Sequence, residues 1–131
     1  MTNNLFDESV LKRDDGMVPI TRLLDLEIGI PKRFIVKGQS ILLTAIKVNS
    51  NVTEVTAFST ICPHALGDLS QGWVTEDEIE CPLHYYRYNM RTGDCVDPRG
   101  GPHLRLYPVK IEGDLVLVSV QKPRWMEQPD R

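Results

Sequence analysis

Two short loops, each carrying one cysteine and one histidine, constrain this chain more than any other feature. The first reads Cys62-Pro63-His64 and the second Cys81-Pro82-Leu83-His84, with 16 residues between His64 and Cys81. Two of the three cysteines and two of the three histidines lie in these loops. A proline follows each cysteine. Proline fixes its own φ and restricts the residue before it, so each turn is stiffened. The four side chains can meet only if the fold holds the two loops tip to tip. Three cysteines in 131 residues are too few, and odd in number, for a disulfide scaffold.

The rest of the chain reads as strand and turn. Met17–Leu24 looks like a first strand, Lys32–Val36 a second, and Ser40–Val48 a longer one rich in Ile, Leu and Val. Lys37-Gly38-Gln39 and Asn49-Ser50-Asn51 are hairpin turns, and Val52–Ser59 alternates in the manner of a half-buried strand. Residues 60–103 are loop-rich, with short strands fitting at Trp73–Thr75, Glu78–Glu80 and Tyr86–Met90. Leu104–Ile111 and Leu115–Val120 flank Glu112-Gly113-Asp114, a hairpin signal. No segment keeps a 3.6-residue apolar period over ten residues, and there is no internal repeat. The expected fold is all-β: an antiparallel sandwich or barrel over 17–120, with a small loop-rich subdomain over about 60–103 inserted into it. Residues 1–16 are expected to form an N-terminal arm and 121–131 a C-terminal tail.

Charge and hydropathy narrow the functional classes. The net charge is −3, with 15 basic against 18 acidic residues, so nucleic acid is not an expected partner. The N-terminus lacks the basic and apolar regions of a secretory signal, and no apolar run approaches the length of a membrane span. A cytoplasmic setting is expected, where thiols stay reduced and free to bind metal.

The donor set of two thiolates and two imidazoles satisfies tetrahedral zinc. The usual zinc finger, however, pairs Cys with Cys on a hairpin and His with His on a helix. Here each loop is mixed and no helix follows. A two-iron, two-sulfide cluster of Rieske type makes another demand: two cysteines on one iron and two histidines on the other.

Here the sequence resembles a known family. Cys62-Pro63-His64 and Cys81-Pro82-Leu83-His84 look like the two halves of the Rieske signature, and the flanking strands over roughly Met17–Ser119 fall where a Rieske domain has them. The resemblance implies one [2Fe-2S] cluster, with Cys62 and Cys81 on one iron and His64 and His84 on the other. It also implies that Asp97–Pro102 is a proline-bearing loop covering a third side. The high-potential branch of the family carries an extra disulfide-bonded cysteine in each loop and a membrane anchor. The corresponding positions here are Gly67 and Leu83. The chain therefore looks like the soluble Rieske ferredoxins of aromatic-ring-hydroxylating dioxygenases. With the sequence ending at Arg131, no catalytic oxygenase domain is expected.

Two positions depart from the family. Tyr85 stands where glycine usually follows the second histidine, so a different loop backbone is expected there. Tyr88 stands where the ferredoxins usually carry phenylalanine. A Tyr88 hydroxyl donating to a cysteine sulfur stabilises the reduced cluster, placing the potential above the bottom of the family's span of about −150 to +300 mV. Cys95 reads as a small buried hydrophobe, since four ligands are complete without it, and His103 as a loop or surface residue. Tyr85 and Tyr86 read as packing around the cluster, and Trp73 and Trp125 as packing residues. The acidic run Glu76, Asp77, Glu78 and Glu80 reads as a solvated strand end, with docking of a basic partner as the second reading.

The resemblance thus implies an electron carrier and not an enzyme. It would accept one electron from a reductase and pass it to a terminal oxygenase, with no small-molecule substrate of its own. His64 and His84 would stand at the exposed tip, where lost ring protons couple potential to pH. The alternatives are a fixed small subunit of a larger redox enzyme such as nitrite reductase, and a zinc-stabilised binding module.

Overall fold

Strand β3, Gln39–Asn49, shows how the chain builds two cores. Its side chains alternate, and both faces are buried. Ile41, Leu43 and Ala45 enter one core with Val36, Ala57, Tyr107, Val116 and Val118. Leu42 and Ile46 enter the other, with Phe58, Leu69, Ile79, Tyr88 and Met90. The period-two geometry of a strand makes one β3 segment a wall between two apolar clusters. Apolar area removed from water at about 25 cal/mol per Å² drives both.

The computed structural model describes residues 16–50 and 52–120. There are eleven strands and no α-helix among them. Strand β1 (Val18–Arg22) pairs with β11 (Leu115–Val118), which pairs with β10 (Val109–Glu112). A second antiparallel sheet runs β2 (Lys32–Val36), β3, β4 (Val52–Ser59) and β9 (Leu106–Tyr107). A third runs β5 (Trp73–Thr75), β6 (Glu78–Glu80), β7 (Arg87–Asn89) and β8 (Cys95–Asp97). The third sheet is inserted between β4 and β9, as the looped texture of 60–103 implies. A bidentate Arg91–Glu54 pair, at 2.9 and 3.1 Å, ties it to β4.

The all-β expectation holds, and β2 and β4 have the expected bounds. Three features differ. The first strand is shorter, because Leu23–Asp25 turns into a 3-10 segment. Leu104–Ile111 is not one strand. Pro108 has no N–H for a ladder, and on either side of it β9 joins β4 while β10 joins β11. Strand β8 also escapes the sequence reading, because Gly93-Asp94 and Asp97-Pro98 make its surroundings look like loop. The expected arm 1–16, apart from Gly16, the tail 121–131 and Asn51 of the second turn lie outside the described residues, as does Trp125. No helix among the described residues is long and apolar enough to cross a membrane.

Candidate metal centre

The two half-motifs close by the same backbone device. The Cys62 N–H donates to the Gly67 carbonyl at 2.8 Å, and the Cys81 N–H donates to the Tyr86 carbonyl at 2.7 Å. Each loop thus has its cysteine at the base and its histidine toward the tip. Turns this tight require left-handed residues, and these are Leu66 (φ 57°) in the first loop and His84 (φ 70°) and Tyr85 (φ 60°) in the second. Tyr85, after His84, thus holds a backbone region where glycine is at ease.

The loops meet. A methyl group placed on Gly67 would lie 3.0 Å from Cys81 Sγ and 3.2 Å from Leu83 Cβ. Gly67 lets the second loop approach, and Gly67 and Leu83 face each other, as the positions of a bridging cysteine pair would. Neither residue is a cysteine, and Cys62, Cys81 and Cys95 are all free thiols.

Depth separates the two kinds of donor. Cys62 and Cys81 are both 0% exposed. Burial pushes the Cys81 thiol up to about 11, with the Leu83 amide opposing and the Cys62 thiol beside it adding to the rise. The Tyr88 hydroxyl lies 3.2 Å from Cys62 Sγ in the buried core. Burial first, and then this contact, push the phenol above its ordinary range. Once Cys62 has lost its proton, only the hydroxyl can donate, which is the bond the sequence reading expects.

The imidazoles lie farther out. His64 and His84 rings are 5.1 Å apart and edge-to-face at 68°. His84 is exposed, whereas His64 is half-buried under Tyr86, whose ring stacks on it at 3.6 Å. His64 Nδ1 is buried without a hydrogen-bond partner. A buried imidazole nitrogen left unpaired is costly in a finished structure and suits an atom meant to ligate. The two loops therefore present an inner thiol pair and an outer imidazole pair, and this donor set fits a Rieske cluster.

The remaining candidates fall into place around it. Cys95 is buried in the same core and pairs across the sheet with Tyr88, as a small hydrophobe would. His103 is exposed. Asp97–Pro102 folds back on Cys95, where a methyl on Gly101 would fall 2.7 Å from Sγ. Asp77 accepts from Asn89 Nδ2 at 3.2 Å and Glu78 lies 3.9 Å from Arg87, so half of the acidic run has local partners. Trp73 corrects its sequence reading as a packing residue. It is 54% exposed and stacks on Tyr85, 6.2 Å between centroids, because it lies on an outward position of β5. The stack of Tyr86 on His64 agrees with its reading as packing around the site, whereas Tyr85, read the same way, is 62% exposed and stacks only on Trp73 among the described ring contacts.

Comparison with known proteins agrees with this geometry. Residues 16–108 match the family described as the Rieske [2Fe-2S] domain. The ferredoxin component of the naphthalene 1,2-dioxygenase system of Pseudomonas aeruginosa is 36% identical over 67 residues, 51% of this chain and 64% of that protein. The ferredoxin component of biphenyl 2,3-dioxygenase of Rhodococcus jostii (strain RHA1) is 38% identical over 68 residues, 52% of this chain and 64% of its own length. The match thus spans a little under two thirds of these relatives. Among solved structures, the ferredoxin of carbazole 1,9a-dioxygenase from Nocardioides aromaticivorans IC177 superposes with a TM-score of 0.70 at 30% identity. That superposition covers 82% of this chain and 100% of the other.

Proposed function

Because this chain belongs to the Rieske [2Fe-2S] domain family, we propose that it is a one-electron carrier of a multicomponent oxygenase system, working in the cytoplasm between a reductase and a terminal oxygenase. The observation that carries the reading is the segregation of donors: two free thiols at 0% exposure inside and two imidazoles outside. Cys62 and Cys81 hold one iron and His64 and His84 the other. Residues 17–120 form the functional unit, and Asp97–Pro102 covers the cluster from a third side. Relatives named as ferredoxin components of dioxygenase systems support the same role.

When bound, the cluster supplies a reversible one-electron site. The chain supplies the rest. Full burial of both cysteines excludes water from the sulfur side, so the charges there act in a low dielectric. The Tyr88 hydroxyl donates toward Cys62 Sγ and favours the more negative state. Tyr86 fixes the plane of the His64 ring. The exposed His84 offers the short path to a partner, and contacts of this kind are small and transient.

The test is spectroscopic. Protein loaded with iron and sulfide is expected to be reddish-brown, to hold two of each per chain, and to give the Rieske spin-resonance signal on reduction. His64→Ala is expected to abolish that signal; a retained signal would remove the ligand assignment. A colourless, zinc-loaded protein would overturn the carrier reading.

A further inference from the structure

Two sheets end side by side in free strand edges. β1 is an edge of the sheet β1-β11-β10, and β2 is an edge of the sheet β2-β3-β4-β9. Between them runs a groove of about 220 Å³, walled by Val18, Pro19 and Ile20 on one side and Phe34, Ile35, Val36 and Lys37 on the other. Val18, Ile20 and Phe34 are only partly buried where they pack on the core beneath, and Ile35 is 61% exposed. β3 is the wall between this core and the one that holds Cys62 and Cys81, so the groove is remote from the candidate ligands. Proteins ordinarily cover an open strand edge with apolar walls.

Charge selects what covers this one. Between Glu27 and Glu54 the sequence has no carboxylate and four cations: Lys32, Arg33, Lys37 and Lys47. The first three stand on β2 or in the turn after it. Lys32 Nζ lies 5.7 Å over the Phe34 ring, Arg33 Nε donates to the neutral Ser40 hydroxyl at 2.9 Å, and Lys37 lines the groove. On β1 the cation is Arg22, which Asp114 already holds at 2.8 Å. Asp25 and Glu27 come after Arg22, beyond the lining residues. The groove is therefore apolar with a positive rim on its β2 side.

Two stretches of chain flank the described residues, and they differ in charge. Residues 1–15 carry Leu5, Phe6, Val10 and Leu11, with Asp7, Glu8, Asp14 and Asp15 against Lys12 and Arg13. Residues 121–131 carry Trp125 and Met126, with Lys122, Arg124 and Arg131 against Glu127 and Asp130, and so bring like charge to the rim. Connection favours the first stretch as well. Gly16, two residues before Val18, holds φ 78°, the left-handed region of a reversing turn, and Asp15-Gly16 is a residue pair that hairpin turns favour. Ten residues separate Phe6 from Gly16, a reach of up to about 33 Å, ample for the five-residue β1. We propose that residues 5–11 cover the β1–β2 groove of their own chain, with Phe6 in the apolar slot and Asp7 and Glu8 against the Lys32, Arg33 and Lys37 rim. The segment thereby closes the gap between the two sheets.

A fluorescent reporter in the full, cluster-loaded chain tests this. Phe6→Trp is combined with Trp73→Phe and Trp125→Phe, so that the introduced indole is the only one. Acrylamide is expected to quench it more weakly than it quenches N-acetyltryptophanamide. Ile35→Asp, at an exposed position, is expected to shift the docking equilibrium about tenfold toward the undocked form, the weight of one apolar side chain. Lys37→Glu is expected to shift it about two- to fivefold, the range of an exposed ion pair, and adding Glu8→Lys to restore it. Raised ionic strength is expected to increase quenching. The groove is remote from the cluster, so these readings stand apart from the carrier reading. Quenching equal to that of the free indole would overturn the proposal, as would shielding that neither Ile35→Asp nor Lys37→Glu changes. Shielding that grows with protein concentration, alongside a dimer in sedimentation, would assign the groove to the segment of a second copy and overturn docking within one chain. In the Trp73→Phe chain, shielding of Trp125 that Ile35→Asp removes would give the groove to residues 121–131 instead.

Discussion

Replacing Tyr88 with phenylalanine removes one oxygen from the fully buried core and leaves the ring in place among Ile79, Met90 and Cys62. No cavity larger than the hydroxyl opens, so the change isolates the 3.2 Å contact to Cys62 Sγ. A hydrogen bond to a charged group contributes about 1.5–3 kcal/mol. The bond exists in both oxidation states, and only its strengthening on reduction moves the potential. Taking about 1–2 kcal/mol for that difference, and 59 mV per tenfold (about 1.4 kcal/mol) for one electron, the midpoint is expected to fall by about 40–80 mV. The sign follows from charge: a donor stabilises the reduced, more negative state, so removing it lowers the potential. Protein-film voltammetry on wild type and variant reads the shift. Thermal denaturation of the iron-free forms checks the fold and is expected to differ by about 1 kcal/mol, the net worth of a neutral bond. An unchanged midpoint with an intact spectrum would refute the reasoning, because Tyr88 would then be only a packing residue.

The remaining predictions test the scaffold around the site. Gly72→Ala would place Cβ 2.4 Å from the Glu80 carbonyl, a backbone contact that cannot yield easily; it is expected to cost about 2–3 kcal/mol by thermal denaturation. Gly67→Ala presses on Cys81 Sγ at 3.0 Å and is expected to lower the iron bound per chain, read by metal analysis. Cys95→Ala is expected to keep the Rieske signal while costing about 1 kcal/mol, since Cys95 fills core space; loss of the signal would make it part of the site. In the iron-free chain, burial raises Cys81 from 9.0 to about 11. The unfolded chain then releases its proton first, so stability is full below about pH 9 and falls as pH rises toward 11, which denaturation at stepped pH would show.

Much of the fold was legible because its signals are local. Lys32–Val36 and Val52–Ser59 are runs of strand-forming residues bounded by turn residues, and both became strands with those bounds. The half-motifs were legible for the same reason: Cys62, His64, Cys81 and His84 carry their chemistry in residue type and spacing. What local signals could not hold is partnership. Leu104–Ile111 reads as one strand, yet Pro108 divides it between two sheets, because its first half pairs with the distant β4 while its second half forms a local hairpin with β11. Strand β8 exists because β7 pairs with it. Trp73 and Tyr85 look alike to any rule about aromatic packing, and only their placement on the outer face of the inserted sheet and loop exposes them.

The sequence by itself determined the all-β class and the residue types of the donor set, since each rests on residue identity at short range; the Tyr88 bond to Cys62 joins residues 26 apart and needed the fold. Tertiary structure alone decided depth. It set the thiols inside and the imidazoles outside, brought Gly67 against Leu83, and turned Tyr85 toward solvent. Depth is a property of the whole packed chain: a side chain's exposure depends on what residues far away in sequence leave uncovered.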